Sequence, residues 1–308
     1  MSTVLFSHRA CLDHDTGLVH PESPDRLRAI LHGLEAEDFA YLERREAPRA
    51  SRAQLARVHD AVYIDALFAA VPTEGIVHLD ADTAISPGSG EAALRAAGAA
   101  CAAVDAVIEG SARNAFCAVR PPGHHAEAGR AMGFCLFNNI AVAALHARAQ
   151  HGLQRIAVID VDVHHGNGTQ AMFEADRDLF YASTHQWPLY PGTGHPSERG
   201  RGNILNLPLA PGAGSFEFRE TVQQHLLPRL EAFRPELVLI SAGFDAHAND
   251  PLADLNLIDA DYAWVTDALC ATANRHAKGR VVSTLEGGYN LRALASACGA
   301  HVKALMVA

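Results

Sequence analysis

Six short apolar runs, at 3–6, 115–119, 155–161, 179–183, 236–241 and 280–285, constrain the fold of this chain more than any other feature. They are rich in Val, Ile and Leu and do not alternate with polar residues. A strand that keeps one face in water must alternate, so runs of this kind belong to strands buried on both faces, as in a parallel sheet. Between them lie helical patterns near 24–35, 51–69, 89–109, 138–151, 215–232, 260–277 and 290–306. Ser51 and Gln54 have the spacing of a capping box, and Gly110 stands where a helix C-terminal glycine is expected. The alternation predicts a three-layer α/β/α fold around a mainly parallel central sheet. With no repeat, low-complexity tract or long linker, residues 1–308 read as a single domain. Segment 185–203, dense in Gly and Pro, reads as a long loop of the functional kind.

The unusual residues fall at strand ends. Arg120-Pro121-Pro122-Gly123-His124-His125, Asp162-Val163-His164-His165-Gly166 and Ser183-Thr184-His185 are expected directly after strands. So are Ala242-Gly243-Phe244-Asp245 and Glu286-Gly287-Gly288-Tyr289. Ligands of open parallel sheets bind outside the carboxyl ends of the strands. Five segments distant in sequence should therefore meet on one rim.

Along Asp160-Val161-Asp162-Val163-His164, extended backbone would put Asp160, Asp162 and His164 on one side and the valines on the other. Two carboxylates and an imidazole leaving an apolar strand together are costly unless a cation pairs them. A mixed nitrogen and oxygen set suits zinc, with open positions if three protein ligands are used. The plainer reading is an acidic strand end that caps a helix or hydrogen-bonds a loop. Asp245 is a candidate third ligand from a neighbouring strand. His247 reads as a solvated rim histidine, and Asp250 as a turn former. The adjacent His124 and His125 suit a pair of general acid–base groups, with Asp160 and Asn167 as candidate orienting acceptors. Tyr289, behind two glycines, would have a hydroxyl able to donate to an oxyanion.

Composition removes other classes. A net charge of −10 argues against nucleic acid as a partner. The six cysteines form no close pairs and read as reduced thiols of a cytoplasmic protein. The N-terminus has no signal-peptide pattern, and the Ala-rich stretch 92–108 is too polar for a membrane span.

The motifs R-P-P-G-H-H-A (120–126), G-F-C-L-F-N-N (133–139), D-V-D-V-H-H-G-N-G-T (160–169), S-A-G-F-D-A-H (241–247) and L-E-G-G-Y-N-L (285–291) resemble the histone deacetylase superfamily. The likeness is to its class II members and the bacterial deacetylase-like amidohydrolases, and it runs from about residue 5 to 300. The stretch 20–26 is similar to their N-terminal loop. The resemblance implies an arginase-like sheet and one catalytic zinc on Asp162, His164 and Asp245. It makes His124 and His125 the acid–base pair, with Asp160 behind the first and Asn167 behind the second, and Tyr289 the carbonyl-polarising hydroxyl. By the same resemblance Gly133, Phe134 and Tyr190 wall a channel for an alkyl chain, and Arg26 lines an internal cavity. A structural monovalent ion, potassium, is implied at Asp160, Asp162, His164, Ser183 and Thr184. The implied activity is removal of an acetyl or small acyl group from an amine, either a protein lysine or a small molecule. A homo-oligomer is the one assembly kept in view.

Three rivals stand beside this reading. A binuclear manganese ureohydrolase needs carboxylates where Gly166 and His247 stand. A phosphatase using Asp160 and Asp162 leaves the histidine pair unexplained. A catalytically silent acetyl-lysine binding module is opposed by the full set of ligands, histidines and Tyr289. Within the family, polyamine-selective eukaryotic relatives carry a glutamate where Leu252 aligns, whereas bacterial polyamine enzymes use other acidic loop residues, and Asp80 and Asp82 offer such rim contacts or plain surface turns.

Overall fold

A computed structural model describes residues 2–308, and each bare apolar run is a strand in it. The strands are β1 (Thr3–Ser7), β2 (Glu43–Glu46), β3 (Val77–His78), β4 (Ala84–Ile85), β5 (Asn114–Cys117) and β6 (Ile156–Asp160). They continue with β7 (Leu179–Gln186), β8 (Ile204–Leu209), β9 (Leu237–Ala242) and β10 (Val281–Leu285). Eight of them form one sheet in the order β2-β1-β5-β10-β9-β6-β7-β8, parallel at every pairing, while β3 and β4 make a small antiparallel ribbon. Every residue of β5, β6, β7, β9 and β10 is buried, which is why these segments lack alternation. Each fully buried Val, Leu or Ile side chain contributes about 1.5–3 kcal/mol.

The helices are α1 (Pro24–Gly33), α2 (Arg52–Leu55), α3 (Ala61–Ala70), α4 (Ser89–Ile108) and α5 (Asn139–His151). After them come α6 (Asn167–Phe173), α7 (Ser215–Thr221), α8 (Leu227–Phe233), α9 (Asp259–His276) and α10 (Leu291–Val307). Helices α4 and α5 pack together on one side, while α1, α9 and α10 pack in series as another layer. No helix among the described residues is long and apolar enough to cross a membrane.

Four expectations about local structure need correction. The pattern at 51–69 is two helices, because His59 and Asp60 are drawn away to bond the carbonyls of Glu127 and Ala128 at 3.0 and 2.9 Å. The capping box of Ser51 and Gln54 does form, on α2. Strand β6 ends at Asp160, one residue short of the apolar run. Ser183, Thr184 and His185 lie inside β7 rather than after it, so the Gly/Pro-rich loop begins at Trp187.

Segment 47–50 crosses α4 in direct contact. Ala50 N–H donates to Leu94 O at 2.8 Å, and a Cβ at Gly98 would fall 2.0 Å from Pro48 O. Helix propensity alone favours alanine over glycine by about 1 kcal/mol. The contact reverses that sign, because main-chain atoms must move to admit the methyl group. Gly98→Ala is expected to lose about 1–3 kcal/mol in urea denaturation; a gain would show that the crossing segment yields freely.

Candidate active site

The loops leaving β5, β6, β9 and β10 meet in one crevice. Because β6 stops at Asp160, strand alternation does not bring Asp162 and His164 together; turns do. Asp160 Oδ1 accepts the Asp162 N–H at 3.2 Å, and Asp162 Oδ1 accepts the His164 N–H at 2.8 Å. His164 Nδ1 ends 3.1 Å from Asp162 Oδ1 and 3.2 Å from Asp245 Oδ2. The remaining carboxylate oxygens are tied to backbone. Asp245 Oδ1 accepts from Val163 N–H at 2.9 Å, and Asp162 Oδ2 from Gly287 N–H at 2.8 Å. The three donor atoms lie within 4.8 Å of one another and all three residues are buried.

Charge limits what this trio can hold. Burial and the neighbouring Asp162 push the Asp245 carboxyl up to about 7. Burial alone would lower His164, but its hydrogen bonds to Asp162 and Asp245 push it up to about 10. Burial likewise opposes the Asp162 carboxylate, which His124 and His164 nevertheless hold well below the usual range. The three groups therefore compete for protons. A divalent cation bound by one imidazole nitrogen and two carboxylate oxygens satisfies all three at once, and a three-ligand set leaves coordination positions open. The donor chemistry fits a zinc ion.

The histidine pair lies beside the trio, with ring centroids 4.0 Å apart. His125 Nδ1 is 2.8 Å from Asn167 Oδ1, and the amide is oriented by Asn167 Nδ2 donating to Glu127 Oε1 at 2.9 Å. An amide oxygen only accepts, so His125 carries its proton on Nδ1 and leaves Nε2 free. His124 Nδ1 is 3.0 Å from Asp160 Oδ2, which also accepts the Tyr181 hydroxyl at 3.0 Å. The pair is thus split: although burial opposes charge, Asp160 and Asp162 raise His124 well above its ordinary value, while burial and then the His124 charge hold His125 well below. Gly166 packs against this arrangement so closely that a Cβ there would fall 2.3 Å from Asp160 Oδ2.

A pocket of about 240 Å³ opens onto these groups. His124, His125, His164 and Tyr289 line it, together with Gly133, Phe134, Tyr190 and Leu252. Pro122, Leu189 and Gly287 are walls that sequence reasoning did not single out. Asp82 also lines the pocket, whereas Asp80 closes its own turn by accepting the Asp82 and Thr83 N–H groups at 3.1 and 2.7 Å. Phe134 holds a φ of 68°, an uncommon left-handed conformation, and its N–H donates to Thr83 Oγ1 at 3.2 Å.

For three other residues the structure adds to or changes the expectation. His247 is buried, with Nε2 3.3 Å from Asp259 Oδ1 and Nδ1 accepting the Asn249 N–H, so it is neither solvated nor part of the trio. Asp250 does form its turn, accepting the Leu252 N–H at 3.0 Å, but its other oxygen accepts the Tyr289 N–H at 2.7 Å and so fixes the tyrosine turn. Arg26, for which the resemblance implies an internal cavity and not the channel, lies behind the pocket under Tyr289. Its guanidinium lies 4.9 Å from the centroid of the Tyr289 ring, and Nε donates to Gly288 O at 2.6 Å.

Two buried glutamates were passed over in the sequence. Glu22 accepts Arg26 Nη1 at 3.0 Å and Arg120 Nη2 at 2.7 Å, and Arg120 Nη1 in turn binds Cys11 O at 2.8 Å. Glu286 Oε2 accepts the N–H groups of Gly123 and His124 at 2.7 and 3.1 Å, which anchors the histidine loop to the end of β10. Burial pushes its carboxyl up to about 7. Their motif positions were visible, but partners up to 163 residues away were not.

Of the residues implied for a monovalent ion, Asp160 and Ser183 are register partners between β6 and β7. Thr184 Oγ1 is buried without a partner, and Ser183 Oγ bonds His185 Nδ1 at 2.9 Å. A second histidine–aspartate group, Asp105 with His146 and His151, is a helix tether. Arg57 Nη1 donates to His146 Nδ1 at 2.7 Å, so the opposite nitrogen carries the proton and donates to Asp105 Oδ1 at 2.6 Å, linking α5 to α4.

The model of the histone deacetylase domain matches residues 20–305. The chain belongs to the histone deacetylase family. It is 45% identical over 289 residues to the histone deacetylase-like amidohydrolase of Pseudomonas aeruginosa, covering 92% of this chain and 76% of that protein. It is 39% identical over 298 residues to a probable deacetylase of Archaeoglobus fulgidus, covering 94% and 82% respectively. The crystal structure of the HDA15 HD domain superposes with a TM-score of 0.95 at 36% identity, covering 99% of this chain and 88% of that one. Histone deacetylase family members are generally metal-dependent, in keeping with the trio. Asp245→Asn is expected to weaken zinc binding, measured by equilibrium dialysis, by more than the roughly 10–100-fold that loss of an outer partner costs. Unchanged affinity would place the ion elsewhere.

Proposed function

We propose that this protein is a zinc-dependent amidohydrolase that removes an acetyl, or another small acyl, group from an amine on an alkyl chain, with acetyl-lysine as the substrate type. Asp162, His164 and Asp245 are the proposed ligands of a single ion. The observation that carries the proposal is that His164 of that trio, a neutral imidazole and a phenol line one pocket of about 240 Å³, with Asp162 and Asp245 grouped behind His164. Zinc, when bound, supplies a Lewis acid for the amide carbonyl and acidifies water.

The chain's own groups account for the proton transfers. His125 Nε2, freed by the Nδ1 bond to Asn167, takes the proton of the attacking water and then delivers it to the departing amine. His124 keeps its proton against Asp160 and contributes positive charge beside the developing oxyanion. Burial raises Tyr289 well above its ordinary value, so it stays a phenol and donates to that oxyanion. Phe134, Tyr190 and Leu252 contact the alkyl stem. A potassium ion near Asp160, Asp162, His164, Ser183 and Thr184 would meet the orphaned Thr184 Oγ1 and bind the β6 end to β7. Six buried thiols accord with a reducing, cytoplasmic setting.

Acetylpolyamines are the second reading, favoured by the Asp82 carboxylate on the pocket wall, where a cationic amine would sit. Comparison of kcat/KM for acetyl-lysine peptides, acetylspermidine and acetylputrescine decides between them. Negligible turnover of all three by the zinc-loaded enzyme would sink the deacetylase reading and leave a silent binding module.

Tyr289→Phe is expected to fold and retain zinc while kcat falls by about 100–1,000-fold, the usual cost of one oxyanion donor; wild-type turnover would remove that role. Because His125 acts as a free base and its value lies below the ordinary 6.5, acid inactivation requires protonating it below that value. The acid limb of the kcat/KM profile should therefore fall below pH 6.5. A midpoint above it would assign the base to another group.

A further inference from the structure

Away from the pocket, β8 forms an edge of the main sheet and pairs only with β7. The end bonds of that pairing run from Tyr181 N–H to Asn203 O at 3.0 Å and from Trp187 N–H to Leu209 O at 2.9 Å. They place the odd-numbered residues of β8 in the ladder, so the main-chain N–H and C=O of Asn206 point away from the sheet. Along this strand runs a groove of about 580 Å³, whose other wall is the helical row Thr221, His225 and Arg229. A smaller groove of about 290 Å³ adjoins it at Gly202 and Arg229 and reaches Arg177 and Arg201.

Two features point to an occupant. Arg177, Arg199, Arg201 and Arg229 ring the two grooves, and none has a carboxylate partner among the described residues, in a chain of net charge −10. The adjacent Glu198 is turned inward, held by Gln170 Nε2 at 2.7 Å and by the His195 N–H at 3.0 Å. Second, Asn206 lines the larger groove on the open edge of β8, its side chain turned inward with Nδ2 donating to Gln170 Oε1 at 2.8 Å. The outward main-chain N–H and C=O of Asn206 ask for the main chain of another strand, and the arginines ask for carboxylates. A second copy of this chain, paired edge to edge, would set the same arginines against each other. The residues of helix row and strand edge leave a slot with the character of a strand-addition site.

We propose that this groove receives an extended acidic segment of a partner protein, which pairs with β8 at Asn206 and places its carboxylates on the arginines. The test is fluorescence anisotropy of the full chain with a labelled octapeptide of alternating Glu and Val. Parallel arms use the Lys–Val counterpart, the Glu–Val peptide N-methylated on alternate amides, and a DNA duplex. The acidic peptide should bind, more weakly at higher salt, with N-methylation and the Arg199→Glu/Arg229→Glu double variant each weakening it by about tenfold or more. The double variant should keep the wild-type deacetylation rate, since neither arginine touches the pocket. Because it also loses the bonds to Gly202 O and Pro196 O, Arg177→Glu/Arg201→Glu, which loses none, should weaken the peptide as well. Absence of binding, equal binding of the N-methylated peptide, or tighter binding of DNA would each overturn the proposal. So would a dimer, seen by sedimentation, that excludes the peptide.

Discussion

Four carboxylates, those of Asp160, Asp162, Asp245 and Glu286, are packed at the ends of three neighbouring strands with at most 1% exposure. Like charges so placed repel strongly, and water cannot screen them. The surrounding structure is arranged around that cost. Main-chain N–H groups of Gly123, Val163 and Gly287 are each committed to one of these oxygens, and His124 and His164 stand against the carboxylates. The loops are thereby held by the acids as much as the acids by the loops.

This mutual holding explains why the site belongs to strand ends and not to independent loops. Glu22 collects Arg26 and Arg120, which bind the N-terminal loop to the Gly288 turn and to Cys11. Tyr289 is consequently fixed from two directions, by Arg26 under its ring and by Asp250 on its N–H. A phenol positioned in this way loses little freedom when a charge develops opposite it, which is how preorganised donors act.

Much of this was legible in the chain because burial on both faces leaves an unmistakable apolar run, and because clustered His and Asp at strand ends are costly without a purpose. What escaped reading did so for physical reasons. Strand β2 is Glu-Arg-Arg-Glu, held at an edge by main-chain pairing with β1 and by polar side-chain bonds such as Arg45 to Ser111 O at 3.1 Å, so composition gave no sign of it. Strand β8 contains Asn206 and Pro208, tolerable only because it is an edge. Helix α6 begins within a Gly-rich stretch that reads as loop. His247 and Asp250 were misjudged in weight because their partners, Asp259 and Tyr289, are set by tertiary packing. The grouping of Asp162 and His164 was anticipated for the wrong reason: turns achieve what strand alternation was expected to do.

Gly166 carries one more consequence. In the sequence a binuclear ureohydrolase is set aside because Gly166 stands where such a site needs a carboxylate. The close approach of its backbone to Asp160, and to the Tyr181 hydroxyl 2.7 Å from where a Cβ would lie, makes it a filled space instead. No single substitution can add the carboxylate without displacing the partner of His124. Volume at position 166 therefore excludes a carboxylate as long as Asp160, Tyr181 and His124 keep their places.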